Sequence, residues 1–317
     1  MHEPTYRQAL SQAWHLVWRN KILWIFGLFS IFLGQFGVGD FVGRVWMLTE
    51  RKVASVSWLL TISGDTTLTQ KLGLVWVGGI LVGVGLLIIV VAVLSQGSLI
   101  LSAIDLFKGK HEPKLKKIWH QSNNFFWRLL ALNIVRKIFL GLLATMVAYI
   151  SVSLIYAQNL GSYYGLLLIM FVGLFLAMII SAVLIYASCY AVADNQKFFT
   201  SLKKAWHLFS DHLLVSVELS VILTLASFLL LAVVLAGSTL VFLPSLIIWL
   251  LAGIFSLPIL AFIALFLGLF LLLAWVIVAG AIFNAFTICA WTYLFMKMRH
   301  EGVASRTLHY LKKFFGR

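Results

Sequence analysis

Charge is what this chain has least of. Only 11% of its 317 residues are Asp, Glu, Lys or Arg, against about 25% in an ordinary soluble domain, while 62% are hydrophobic. That balance excludes a soluble globular protein. Proline is scarce as well, at four residues, and the 25 Phe and 12 Trp exclude disordered, collagen-like and low-complexity chains, which are poor in large apolar side chains. The only two cysteines, Cys189 and Cys289, lie inside apolar runs, so no extracellular disulfide framework is expected. A mean hydropathy of +1.03 points instead to lipid as the solvent.

The few charges that exist act as a ruler, because Asp, Lys or Arg at mid-bilayer costs about 2.5–3.5 kcal/mol. Four uncharged runs stand out, at Ile22–Gly39, Leu72–Ile104, Ile138–Ala193 and Leu219–Met296. A helix needs about 20 residues to cross a hydrocarbon core of about 30 Å. The first two runs predict one span each and the third predicts two, broken near 158–162. The last holds either two spans with a re-entrant piece between Gly237 and Pro258, or three spans interrupted at Pro244 and Pro258. Segments 1–21, 105–137, 194–218 and 297–317 carry 20 of the 24 Lys and Arg, which assigns them to the cytoplasm. Both termini are then inside, the crossings are even in number, and six is the economical count. The expected spans are 22–39, 74–104, 138–157, 163–193, 213–237 and 259–290. No cleavage site follows the first run, so it is expected to stay as an anchor.

Self-comparison finds a repeat. The pattern Leu-x-x-(Ala/Ile)-Trp-His occurs at Leu10 to Trp14-His15, Leu115 to Trp119-His120 and Leu202 to Trp206-His207. Each copy precedes an odd-numbered span, which suggests three units, approximately 1–105, 106–194 and 195–296, followed by a basic tail at 297–317. The expected class is an all-α polytopic bundle in one membrane domain, each unit an amphipathic cytoplasmic helix plus two spans. Leu10, Ala13, Trp14 and Val17 fall on one helical stripe, repeated by Leu115, Ile118 and Trp119 and by Leu202, Ala205, Trp206 and Phe209. Lys116, Lys117, Lys203 and Lys204 lie off it. Trp at the headgroup boundary and Lys beside anionic phosphates are the physically favoured choices for an interfacial helix. A sharper alternative gathers His15, His120 and His207 around a pseudo-threefold axis as a metal or proton site. No matching carboxylates accompany them, so neither metal nor cofactor is expected.

Catalytic patterns are weak. Gly37-Val38-Gly39-Asp40 matches the GxGD string of intramembrane aspartyl proteases but has no second Asp motif in another span. His300-Glu301 lacks a second His, Gly97-Ser98 lacks the flanks of a serine hydrolase, and no phosphate loop occurs. An enzyme is not expected. Glu218 is the one acid inside a predicted span, about 10 Å beyond Asp211 on the same face of the fifth helix, and is the candidate ligand or ion site. Its expected partners in that role are Arg136, Lys137 or a water-filled vestibule near Asp211; the alternative is that, about one and a half turns from the interface, it snorkels or pairs structurally. Ser95, Gln96, Ser98, Ser102, Asn284 and Thr287 are expected to join helices, and Gly78, Gly79, Gly83 and Gly85 to allow close packing. The net charge of +14 reflects topology, not nucleic-acid binding.

Several short strings carry a family resemblance: Ala13-Trp14 to Trp24-Ile25-Phe26-Gly27, Gly97-Ser98-Leu99-Ile100 before Gly109, Leu202-x-x-Ala205-Trp206 after Asp194, and Thr292-Tyr293-Leu294 before Arg299. Through them the chain resembles six-span bacterial inner-membrane proteins related to the membrane domain of some glycerophosphodiester phosphodiesterases. The resemblance implies six helices, a bacterial inner membrane and no catalysis, since loop 40–71 holds no His for that enzyme's metal site. Three functions remain open: binding or moving a lipid or amphiphile, with anionic lipids as cytoplasmic partners; recruiting a protein partner as a scaffold; or acting as a small-solute permease.

Overall fold

The computed structural model describes residues 5–33, 38–49, 68–109, 115–157, 159–255 and 257–300. Among them there is no strand. The helices are α1 (Thr5–Arg19), α2 (Ile22–Ser30, continued by a 3-10 turn Ile31–Leu33), α3 (Val38–Thr49), α4 (Leu68–Phe107), α5 (Leu115–Asn123), α6 (Phe126–Ala157), α7 (Leu160–Ala193), α8 (Phe198–Asp211), α9 (Leu213–Ile254) and α10 (Pro258–His300). Among the described residues, five stretches are long and apolar enough to cross a membrane: Val75–Phe107, Phe126–Tyr156, Gly161–Ala193, Leu213–Ile254 and Pro258–Arg299. A sixth exists only if α1 and α2 together count as one bent span. The protein is an all-α, polytopic membrane bundle.

Three spans differ from the charge ruler. The first expected span, 22–39, is a short helix and turn ending at Leu33, about 18 Å long at 1.5 Å per residue and too short for a hydrocarbon core of about 30 Å. It meets α1 at 107°. The elbow is held by side chains that reach carbonyls at the end of α1: Trp24 Nε1 donates to Val17 O at 2.9 Å, and Asn20 Nδ2 adds a second bond, at 3.1 Å, to Leu16 O, which also accepts the Asn20 backbone N–H. The third span begins at Phe126 rather than near 138, so Arg128, Arg136 and Lys137 ride on α6. The fifth runs unbroken from Leu213 to Ile254, with Pro244 inside it. Pro258 instead opens α10, where its missing N–H has no helical partner to lose.

Burial is concentrated at one end. Val93, Leu99, Ile100 and Ala103 of α4, Tyr186, Ala187 and Cys189 of α7, Leu219 of α9, and Ile288, Cys289 and Leu294 of α10 form one core with Ala9, Ala13 and Val17 of α1. A smaller cluster joins Phe41 and Val45 of α3 to Leu140, Ala144 and Val147 of α6 and Ala177 of α7. Away from the main core the long helices part into limbs: α6–α7 with α3, the α9–α10 hairpin, and the outer half of α4. There Val75, Trp76 and Leu81 are exposed, as are Leu229 and Leu235 of α9 and Phe266 and Phe270 of α10. Exposed apolar helix is what a lipid solvent requires. The glycines at 78, 79, 83 and 85 do not make the expected close packing, since a Cβ at any of them meets nothing within 4 Å among the described residues.

Polar groups tie the buried end together. Asn284 Nδ2 donates to Ser30 Oγ at 2.6 Å and to Gly27 O at 3.1 Å, joining α10 to α2. Gly27 is needed there because a Cβ would meet the Ala281 carbonyl oxygen. Asn133 Nδ2 donates to Gln96 Oε1 at 2.6 Å and Ser122 Oγ to Leu94 O at 2.8 Å, holding α6 and α5 to α4. Gln96 and Asn284 thus serve as interhelical links. The charged end is closed by Arg299 pairing with Asp194, while Arg128 donates to Asn195, whose left-handed φ of 54° turns the chain from α7 into α8. Lys297 Nζ donates to Gln8 Oε1, so α1 and the end of α10 lie at this same end.

Candidate functional site

Each Trp-His motif lies on a short helix, α1, α5 or α8, followed after a break by a more apolar one. In all three the residue before the Trp is the buried one: Ala13 and Ala205 are fully buried and Ile118 is 2% exposed. The buried stripe continues at four-residue spacing through Ala9 and Val17, through Ser122, and through Ser201 and Phe209. The Trp therefore stands on the rim of the stripe rather than at its centre. Trp14 is half exposed and meets Trp18 and Phe286, Trp119 stacks on Phe26, and Trp206 is exposed beside Phe209. Lys116, Lys117, Lys203 and Lys204 all face outward, as do His15, His120 and His207. A half-exposed indole beside outward cations is the arrangement an interface favours.

One of the three helices does more. α8 lies across α6 and α7, and between them is an open groove of about 460 Å³. Its floor is Val135 and Phe139 of α6 with Ile180 and Val183 of α7. α8 supplies Phe199, Leu202, Lys203 and Trp206 along one side. Local sequence explains the division of labour: Ser201, Ala205, Leu208 and Phe209 bury against α7, and the next positions around the helix, 199, 202, 203 and 206, face the groove edge. The lining is apolar except for Lys203, whose ammonium stands at an exposed position. Such a groove accepts a hydrocarbon chain along its floor and one anionic group at its rim.

The remaining candidates are not brought to this groove. The chain breaks at His212 (φ −123°, ψ 38°), so Asp211 ends α8 while Glu218 belongs to α9. The two acids do not share one helix face, as uninterrupted periodicity predicted. Asp211 Oδ2 lies 3.2 Å from His207 Nδ1, an exposed i, i+4 contact of little energetic weight. Glu218 is half-buried, two residues or about half a turn from Ser216, whose hydroxyl is 2.9 Å from the Tyr186 hydroxyl across α7 and α9. Neither acid lines the groove. Among the described residues no three His, Cys, Asp or Glu side chains gather as a metal site. Cys189 and Cys289 are buried free thiols. The side chain of Asp40 and residues 34–37 lie outside the described part, and with them the GxGD string. Val135, Phe139, Ile180 and Val183 were missed by sequence reasoning, because within α6 and α7 they are ordinary apolar positions and only α8 makes them a groove. The chain matches no known family, no curated protein and no solved structure.

Proposed function

We propose that this is a non-enzymatic membrane protein that holds an anionic amphiphile, its chain in the α6–α7–α8 groove and its headgroup on Lys203. The observation that carries the reading is the groove itself, apolar along its floor and cationic at one rim. It lies between the second and third Trp-His units, where a bilayer's headgroup boundary supplies such molecules. The exposed Lys116, Lys117 and Lys204 add a basic field that concentrates anionic lipid, about 1 kcal/mol per cation near a charged surface. On this reading the charged end is cytoplasmic. The Lys297–Gln8 contact supports α1 and the end of α10 on that same side, and the resemblance to six-span inner-membrane proteins adds a bacterial inner membrane.

Native mass spectrometry of the full chain, released from nanodiscs containing phosphatidylglycerol, tests the proposal. Wild type is expected to retain lipid, Lys203→Glu to lose roughly tenfold in occupancy, and Lys203→Arg to keep it. Glu218→Gln, outside the groove, is expected to retain lipid like wild type. Equal retention in Lys203→Glu and wild type would refute a headgroup site at Lys203. Loss in Glu218→Gln alone would move the site to α9.

A further inference from the structure

The α9–α10 hairpin is longer than the membrane it is suited to cross, and two ties to the neighbouring limb measure the excess. Tyr186 and Ser216 join α7 to α9 by their hydroxyls. From that level α7 extends about 39 Å to its start at Leu160, and α9 about 57 Å to Ile254, at 1.5 Å per residue. The Arg299–Asp194 pair gives a second level. From it the lengths are about 51 Å along α7 and about 62 Å along α10. On either reckoning the hairpin outreaches its neighbour by roughly 10–20 Å. The shorter limb fits a bilayer: above Lys137, the last charge on α6, about 30 Å of helix remains to Ala157, the thickness of a hydrocarbon core.

Nothing in the excess belongs in water. Residues 219–296 contain no charged side chain. Leu240, Ile247, Leu250, Phe262, Phe266 and Phe270 are all exposed. Nor does the outer surface resemble a helix-docking face. In lipid, helices associate through small residues and hydrogen bonds rather than through hydrophobicity. Here Gly237 packs inward on Trp275 and Gly268 on Ser245 and Phe242, while Gly253 near the tip faces open space. Most of the outward surface is large and apolar, the surface that acyl chains solvate.

We infer that the hairpin lies obliquely in the bilayer, its distal third lodged in the acyl chains of the leaflet farther from the charged end. The uncharged stretch from Leu219 to Ile254 is about 53 Å long. It fits a core of about 30 Å at a tilt of roughly 55°.

Spin-label accessibility tests this on the full chain with Cys189 and Cys289 replaced by Ala, in phosphatidylcholine–phosphatidylglycerol nanodiscs. Single labels go on Leu250→Cys and Phe266→Cys, one on each arm, with Leu142→Cys as the lipid reference and Lys204→Cys as the water reference. The expected result is a severalfold preference for oxygen over a water-soluble nickel chelate at both tip sites, matching Leu142. Nickel access like that at Lys204 would put the tip in water and overturn the inference. Protection from both reagents would mean a protein partner covers it, which overturns the inference equally.

Discussion

Gly27 and Gly79 are both helical glycines, and they ought to answer the same substitution in opposite ways. A methyl group on Gly27 meets the carbonyl oxygen of Ala281 and the Cβ of Ala285, neither of which can swing aside, so α2 must back away from α10. The withdrawal also strains the Asn284 contacts to Ser30 and Gly27. Overpacking of this kind costs about 1–3 kcal/mol. Gly79 has open space in the Cβ direction, and Ala there gains about 1 kcal/mol of helix propensity. Thermal unfolding in one detergent is therefore expected to fall for Gly27→Ala and to hold or rise for Gly79→Ala. A matching fall for both would mean that α4 has a packed neighbour at Gly79. Sequence alone could not separate them, because a glycine in an apolar run looks the same whether or not another helix touches it.

At the scale of the element, the elbow between α1 and α2 shows what a charge ruler measures. It found the uncharged length from Ile22 onward but not the direction of the chain, which turns by 107° with neither Pro nor Gly at the corner. The turn is made by Asn20 and Trp24 capping carbonyls of α1, supported by the edge-on contact of Trp18 and Trp24. Trp24→Phe keeps a ring but removes the donor to Val17 O. Losing a partner for a buried acceptor costs about 1–3 kcal/mol, so amide exchange across residues 16–24 is expected to quicken several-fold, with α7 unchanged. Unchanged exchange at the elbow would show that packing alone holds it. Other elements were legible. Pro258 starts α10 as a proline at a helix start should, and the helical state of the three Trp-His stretches followed from periodicity. Pro244 was misleading, because α9 carries it through without a break, as membrane helices often can. The break at His212 went unseen because no residue there signals one, and it separates Asp211 from Glu218.

The whole molecule has a tight end and an open one. Basic residues, both described chain ends and the large core gather at the first, and apolar limbs separate toward the second. Composition made the membrane setting and the helical class plain, since both depend on sums over many residues. The groove depends on Val135, Ile180 and Lys203, which are far apart in sequence and meet only when α8 folds across α6 and α7. Periodicity within one helix holds no record of such a meeting. Photo-crosslinking with an anionic phospholipid carrying a diazirine on its acyl chain, followed by mapping of the modified residues, tests the groove directly. Adducts are expected to concentrate several-fold on residues 179–184 and 199–206 over the rest of the apolar surface, and to be displaced by unlabelled anionic lipid. Adducts spread evenly over the exposed faces of α4, α9 and α10 would contradict it.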